Sequence, residues 1–244
     1  LELSLEICRQ TYNNLLSELS EGYTKNEIQN YLLDLKIVNP KMNNVHSKVL
    51  QMENQRLFGN LSSLSKLKNK GHKVGRLRYK GKNWFKTFTY NQSGFKLTPI
   101  KNKNGILWLS KIGDIPIKLH REVEGNIKQV TIKKSNDKWY ASIITDAIIK
   151  RECGNGEIGT DVGIENYIYD SNGNACKNPK HFDNYHSELK LAQQSLSRKK
   201  KGSNSRRKAR IKVAKIHEKI ANARDDFIHK LSTKLIRENK FIAI

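Results

Sequence analysis

Between Asn54 and Gly113 the chain carries no aspartate or glutamate, while fourteen lysines or arginines fall inside the same stretch. Like charges at that density repel in any compact state, so the segment folds only with its cations turned to solvent or to a polyanion. A second such run lies between Arg198 and Lys240, where sixteen Lys or Arg meet four acidic residues. Opposite charges are too few there to lace a helix surface with salt bridges. The 244 residues hold a net charge of +23, with a sequence pI near 9.9. Such an excess points to nucleic acid first and to an anionic membrane second.

No apolar run approaches the ~20 residues of a spanning helix, and no signal-peptide pattern occurs, so nucleic acid is the expected partner and a membrane is not. Cys8, Cys153 and Cys176 are odd in number and form no C-x-x-C pair. They read as reduced thiols in a cytoplasmic protein, not as a disulfide frame or a zinc site. The chain starts at Leu1 without Met and stops at the apolar run Phe241-Ile-Ala-Ile244, which reads as a fragment of something longer.

Residues 1–70 read as helical. Leu3, Ile7, Tyr12, Leu15, Leu16 and Leu19 follow one stripe, and Gly22 punctuates it. Thr24 with Glu27 fits a capping box that starts a second helix through Ile28, Tyr31, Leu32 and Leu35, and Asn39-Pro40 ends it. A third helix is expected from about Asn43, carrying Val45, Val49, Met52, Leu57, Leu61 and Leu64. Seven acidic and six basic residues balance across the first sixty positions, so this block is not itself strongly basic. A recognition lobe and a plain packing bundle both fit it.

Residues 71–150 change character. Lys73, Arg76, Arg78, Lys80, Lys82 and Lys86 are candidate phosphate contacts, joined further on by Lys118, His120 and Arg121. Trp84, Phe88 and Tyr90 are base-stacking candidates, against the reading that Phe85, Phe88 and Tyr90 are the buried side of a strand. Short β-rich runs occur at 87–90, 106–109, 115–119, 130–133 and 139–144, the last two flanking the hairpin signal Ser135-Asn-Asp137. Strands of that number and length suggest a small antiparallel barrel of the oligonucleotide-binding type.

Residues 151–244 open on Glu157-Ile-Gly-Thr-Asp-Val-Gly-Ile164, a strand carrying Asp161. Asn166-Tyr-Ile-Tyr-Asp170 and the turn Ser171-Asn-Gly173 then read as a hairpin strand. An acidic residue at the head of a sheet is how RNase H-like nucleases begin a site for divalent metal, although an isolated D-x-G also starts turns. Two apolar stripes follow, Tyr185 to Leu196 and Ala209 to Leu231, broken at Gly202-Ser203. Their three- and four-residue steps predict an antiparallel helical hairpin over about 184–238. Its polar faces offer Arg198, Lys199, Lys200, Lys201, Arg206, Arg207, Lys208, Arg210 and Lys212 to phosphate.

Several of these pieces, in this order, resemble the TnpB/OrfB proteins of insertion sequences. They are His46-Ser-Lys-Val-Leu-Gln51, Phe88-Thr-Tyr-Asn-Gln-Ser-Gly-Phe-Lys-Leu97, the run Leu109 to Arg121, Lys138-Trp-Tyr140, Gly159-Thr-Asp-Val-Gly163, Leu196-Ser-Arg-Lys-Lys-Lys-Gly-Ser203 and the run Ala209 to Leu235. The resemblance implies an α+β multidomain protein. Residues 1–70 would be a helical recognition lobe, 71–150 an OB-like β-barrel wedge domain, and 151–244 part of a RuvC-type domain of RNase H fold with the basic hairpin inserted. It implies an RNA-guided endonuclease, also described as a probable transposase, with a guide RNA from the transposon end and double-stranded target DNA as partners.

By the motif match Asp161 is the first of three catalytic, magnesium-binding carboxylates. The family's second, a Glu in an E-D-L motif, its third, an Asp, and its C-x-x-C zinc ribbon would lie beyond Ile244. Two-metal hydrolysis needs carboxylates from separate strands around two ions about 3.5–4 Å apart. Asp161 cannot supply that alone, and Asp170, Asp225 and Asp226 are no substitutes, so these residues are expected to bind RNA and DNA without cutting. The alternative is a non-catalytic copy acting as repressor or competitor. A Tyr-dependent strand transferase would need a His-hydrophobic-His motif that is absent.

Overall fold

A computed structural model describes residues 1–82, 84–148 and 154–244, and the chain folds into two compact units, Leu1–Ala147 and Ile148–Ile244. The first unit begins with α1 (Glu2–Ser20), α2 (Lys25–Val38), a 3-10 turn over Pro40–Asn44 and α3 (Ser47–Asn69). Gly22 leaves α1 at a φ of 93°, a conformation that favours glycine. The capping box forms as the sequence predicts: Thr24 N donates to the Glu27 carboxylate at 2.7 Å, and Glu27 N donates back to Thr24 Oγ1. The third helix starts at Ser47 rather than near Asn43, because Pro40–Asn44 coils as a 3-10 turn. His46 caps it, its Nδ1 accepting from Lys48 N at 3.3 Å.

Among the described residues six strands complete this unit: β1 (Thr87–Asn91), β2 (Phe95–Ile100), β3 (Asn104–Leu109), β4 (Gly113–Lys118), β5 (Ile127–Ser135) and β6 (Lys138–Thr145). The expected barrel is not closed. Among the described residues the strands make two three-stranded antiparallel sheets, ordered β1–β5–β6 and β2–β3–β4. Pro99 and Pro116 sit on the two edge strands of the second sheet, and proline has no N–H with which to extend a ladder. Between β5 and β6, Asn136 takes the positive φ of the predicted hairpin. No β-rich run stands out in the sequence over 95–100, yet pairing with β3 makes a strand there.

Helices and sheets of this unit share one core. Tyr12 and Leu15 of α1, Ile28 of α2, and Val49, Leu50 and Leu57 of α3 bury against Phe88 and Tyr90 of β1, Leu107 and Leu109 of β3 and Val130 of β5. Side chains of this size stabilise by about 1.5–3 kcal/mol each when fully buried.

The second unit comprises β7 (Gly156–Asp161), β8 (Asn166–Asp170), β9 (Ala175–Lys177), α4 (His181–Ser197), α5 (Asn204–Glu238) and β10 (Asn239–Ala243). Its sheet order is β10–β7–β8–β9; β10 runs parallel to β7, and the other pairs are antiparallel. The helical hairpin forms around Leu189, Ala192, Ile216 and Ile220. Ser203 caps α5 by accepting from Arg206 N at 3.1 Å. Further along α5, Phe227 packs edge-on against Tyr167 of β8, ring centroids 5.1 Å apart, and against His181 at the start of α4, centroids 6.0 Å apart. Cys8 and Cys176 carry free thiols, and Cys153 lies outside the described residues. No helix among the described residues is long and apolar enough to cross a membrane.

Candidate nucleic-acid interface

Among its described residues the cationic stretch after α3 has neither helix nor strand up to β1, so their backbone needs partners from elsewhere. Val74 and Leu77 turn inward, lining an apolar cavity of about 380 Å³ with Leu16, Leu19, Leu61 and Leu64, while Lys73, Arg76 and Arg78 remain exposed. At Lys80, α1 stands in for a neighbouring strand. Lys80 N donates to Asn13 Oδ1 at 2.7 Å, and the Lys80 carbonyl accepts from Asn13 Nδ2 at 3.0 Å and from Arg9 Nη1 at 2.8 Å. Glu6 holds Arg9 in place, accepting from its Nη2 at 2.6 Å, and this hydrogen bond lowers the Glu6 pKa. Lys80 itself lies over the Tyr12 ring, Nζ 5.7 Å from the centroid. Lys82 and Lys86 are exposed. The cations are thus presented from an irregular but tied-down backbone.

Of the three stacking candidates, Phe88 is 0 % and Tyr90 1 % exposed, whereas Trp84 is 81 % exposed. Phe88 and Tyr90 therefore serve the core, as the competing reading had it, because β1 turns both, at i and i+2, toward the core it shares with α1 and α3. Tyr90 also donates its hydroxyl to the Ser110 carbonyl at 2.7 Å, and burial pushes its pKa well up. Beyond the first run, Lys118, His120 and Arg121 are exposed. Lys128 pairs with Asp146 at 3.0 Å and Lys134 with Glu2, which leaves those two partly neutralised.

In the second unit, Arg198, Lys199, Lys200, Lys201, Arg207, Lys208, Arg210 and Lys212 are exposed along the α4–α5 turn and the first turns of α5. Arg206 differs. Its Nη1 donates to the carbonyls of Leu196 at 2.9 Å and Lys199 at 3.0 Å, closing the end of α4. Its role is to satisfy orphan carbonyls at a helix C-terminus.

Asp161 is the exposed last residue of β7, opposite Tyr169 of β8. Gly163 follows because a Cβ there would come within 2.8 Å of the Asn166 carbonyl. On the other side of β7, Thr160 Oγ1 donates to the Ala243 carbonyl at 3.2 Å, and the register sets Ala243 opposite Gly159. Asp170 is a turn former: its carboxylate accepts from the backbone N–H of Asn174 at 2.8 Å and of Asn172 at 3.0 Å, which lowers its pKa. Asp226 pairs with Lys230 at 2.7 Å. Among the described residues no three His, Cys, Asp or Glu side chains come together as a metal site.

A family model of the OrfB proteins, described as "Probable transposase", matches residues 129–244. The chain is 37 % identical over 147 residues to "Putative RNA-guided DNA endonuclease" of Streptomyces pristinaespiralis, covering 58 % of this chain and 37 % of that protein. It is 31 % identical over 169 residues to "Putative RNA-guided DNA endonuclease InsQ" of Escherichia coli K12, covering 68 % of this chain and 41 % of that protein. The chain belongs to the TnpB/OrfB family. It spans about two fifths of the length of the curated relatives it matches. The family model takes in the second unit whole, so the TnpB/OrfB match covers both the Asp161 strand and the basic hairpin. Asn13 and Arg9, which hold the first cationic stretch of this TnpB/OrfB chain, carry no local signal by which the sequence could have revealed them.

Proposed function

We propose that this chain is the RNA- and DNA-binding part of a transposon-encoded, RNA-guided DNA endonuclease. The observation that carries the reading is the presentation of cations: two acid-poor stretches, each anchored by neutral or paired groups, leave most of their lysines and arginines exposed. A guide RNA would read the target by base pairing, while the protein holds phosphate backbones without reading sequence itself. The helical segment and two small sheets of the first unit are compatible with a recognition lobe and an OB-like wedge. The β10–β7–β8–β9 sheet, with Asp161 at the end of β7, supports a RuvC-like, RNase H-type domain.

Magnesium is the metal such a domain would use. Asp161 offers a single carboxylate, and the residues present do not fit a two-ion site. For these 244 residues we therefore propose binding without cleavage, which also accommodates a competitor or repressor role. Zinc has no ligand set among the described residues. The test is affinity for RNA and for duplex DNA across a salt series. Log K should fall linearly with log salt, with a slope near −0.9 per neutralised duplex phosphate, and a flat response overturns the reading. Magnesium-dependent nicking that disappears in Asp161→Ala would overturn the binding-only part.

A further inference from the structure

The sheet β2–β3–β4 has one face in the core and one in solvent. Leu107 and Leu109 are buried at 1 % and 0 %, while Trp108 between them is 43 % exposed. The pairing register places Lys96 and Asp114 on either side of Trp108, and the next row holds Thr98, Ile106 and Pro116. Alternation on a half-solvated antiparallel sheet calls for polar residues on the outer face. A tryptophan and an isoleucine there, beside an exposed proline, depart from that rule and mark a contact surface.

Two further observations narrow the occupant. Pro99 and Pro116 occupy both edge strands, so a partner cannot add a strand through their positions and must use the face. Between residues 92 and 121 there are five lysines and one arginine against a single acid, Asp114, so the occupant is anionic. An anionic partner with flat apolar faces is an unpaired nucleotide: its base stacks on the indole and its phosphate meets a lysine. A base pair inside a duplex exposes no such face.

We propose that the outer face of β2–β3–β4 is a stacking platform for single-stranded RNA, with Trp108 beneath a base and Lys96 beside its phosphate. The proposal rests on the reading that this chain binds a guide RNA, and adds which part of that RNA meets this face: an unpaired stretch.

The experiment compares the full chain with Trp108→Ala, Trp108→Phe and Lys96→Ala, titrated with a short unstructured oligoribonucleotide, the matching oligodeoxyribonucleotide and a duplex DNA. Trp108→Ala should weaken single-stranded RNA by about 5- to 150-fold, the range of one lost base stack. Duplex affinity and thermal midpoint should stay put. Trp108→Phe should keep most of the affinity, and Lys96→Ala should reduce its salt dependence. Unchanged RNA affinity in Trp108→Ala, an equal loss for duplex DNA, or a loss confined to single-stranded DNA each overturns the platform. If the unmodified chain binds no nucleic acid at all, the proposed function falls with it; tight wild-type binding unaffected by Trp108→Ala sinks the platform alone.

Discussion

Glu53 should make the first unit lose stability as pH rises, and Glu53→Gln should remove that loss. The carboxyl is 0 % exposed on α3, and neither oxygen has a hydrogen-bond partner. Arg56 Nη1 stands 3.2 Å from Oε2, close enough for attraction but not aligned as a hydrogen bond. That guanidinium is already engaged, donating to the Thr87 carbonyl at 3.2 Å and to Thr87 Oγ1 at 3.0 Å, and lying 4.7 Å above the Phe85 ring. Burial therefore wins over the Arg56 charge and raises the carboxyl from 4.5 to about 8. The folded chain then holds a proton that the unfolded chain gives up, across a window of about 3.5 pH units.

At about 1.36 kcal/mol per pH unit, this comes to about 5 kcal/mol, present in full below pH 4.5 and lost as pH rises through about 8. Urea denaturation followed by tryptophan fluorescence suits the measurement, because Trp84, Trp108 and Trp139 all belong to this unit. Between about pH 5 and 8 the wild-type unfolding free energy should fall steadily, by on the order of 1 kcal/mol per pH unit more than that of Glu53→Gln. Parallel pH profiles for the two proteins would refute the reasoning.

Two substitutions probe how the cations are held. Asn13→Ala removes both side-chain bonds to Lys80 and should cost about 1–3 kcal/mol. It should also speed limited proteolysis between Lys73 and Lys86; an unchanged cleavage pattern contradicts the anchoring role. Lys208→Ala should lower the salt slope of nucleic-acid binding by about one with no change in thermal midpoint. Arg206→Ala should do the reverse, lowering the midpoint through the lost bonds to Leu196 and Lys199. Identical effects from the two would erase the distinction between them.

Strong local signals were legible in the sequence. The Thr24–Glu27 box, the stop at Asn39-Pro40, the Ser135-Asn-Asp137 hairpin and the Ser171-Asn-Gly173 turn each need only neighbouring residues, and each forms. What failed depended on distant partners. β2 is a strand because β3 pairs with it, and the six strands stay as two sheets because no ladder among the described residues joins them. Phe88 and Tyr90 could be read as stacking candidates or as the buried side of a strand, and helices α1 and α3 decided for the second by covering them. The parallel match of β10 to β7 spans the whole hairpin insertion, and periodicity over a dozen residues carries no information about it.

By itself the sequence pointed to a polyanion as the expected partner, because charge is additive and the +23 does not depend on the fold. It also determined the helices, most of the turns and the family to which the motifs point. Only the tertiary structure decided which cations are available. Arg206 closes a helix end, Arg56 binds a strand and Lys80 sits over Tyr12, yet in the sequence they look the same as Lys208 or Arg78. A side chain's charge is a property of the residue, but its freedom to meet a phosphate depends on which acceptors and rings folding places within about 3–6 Å of it.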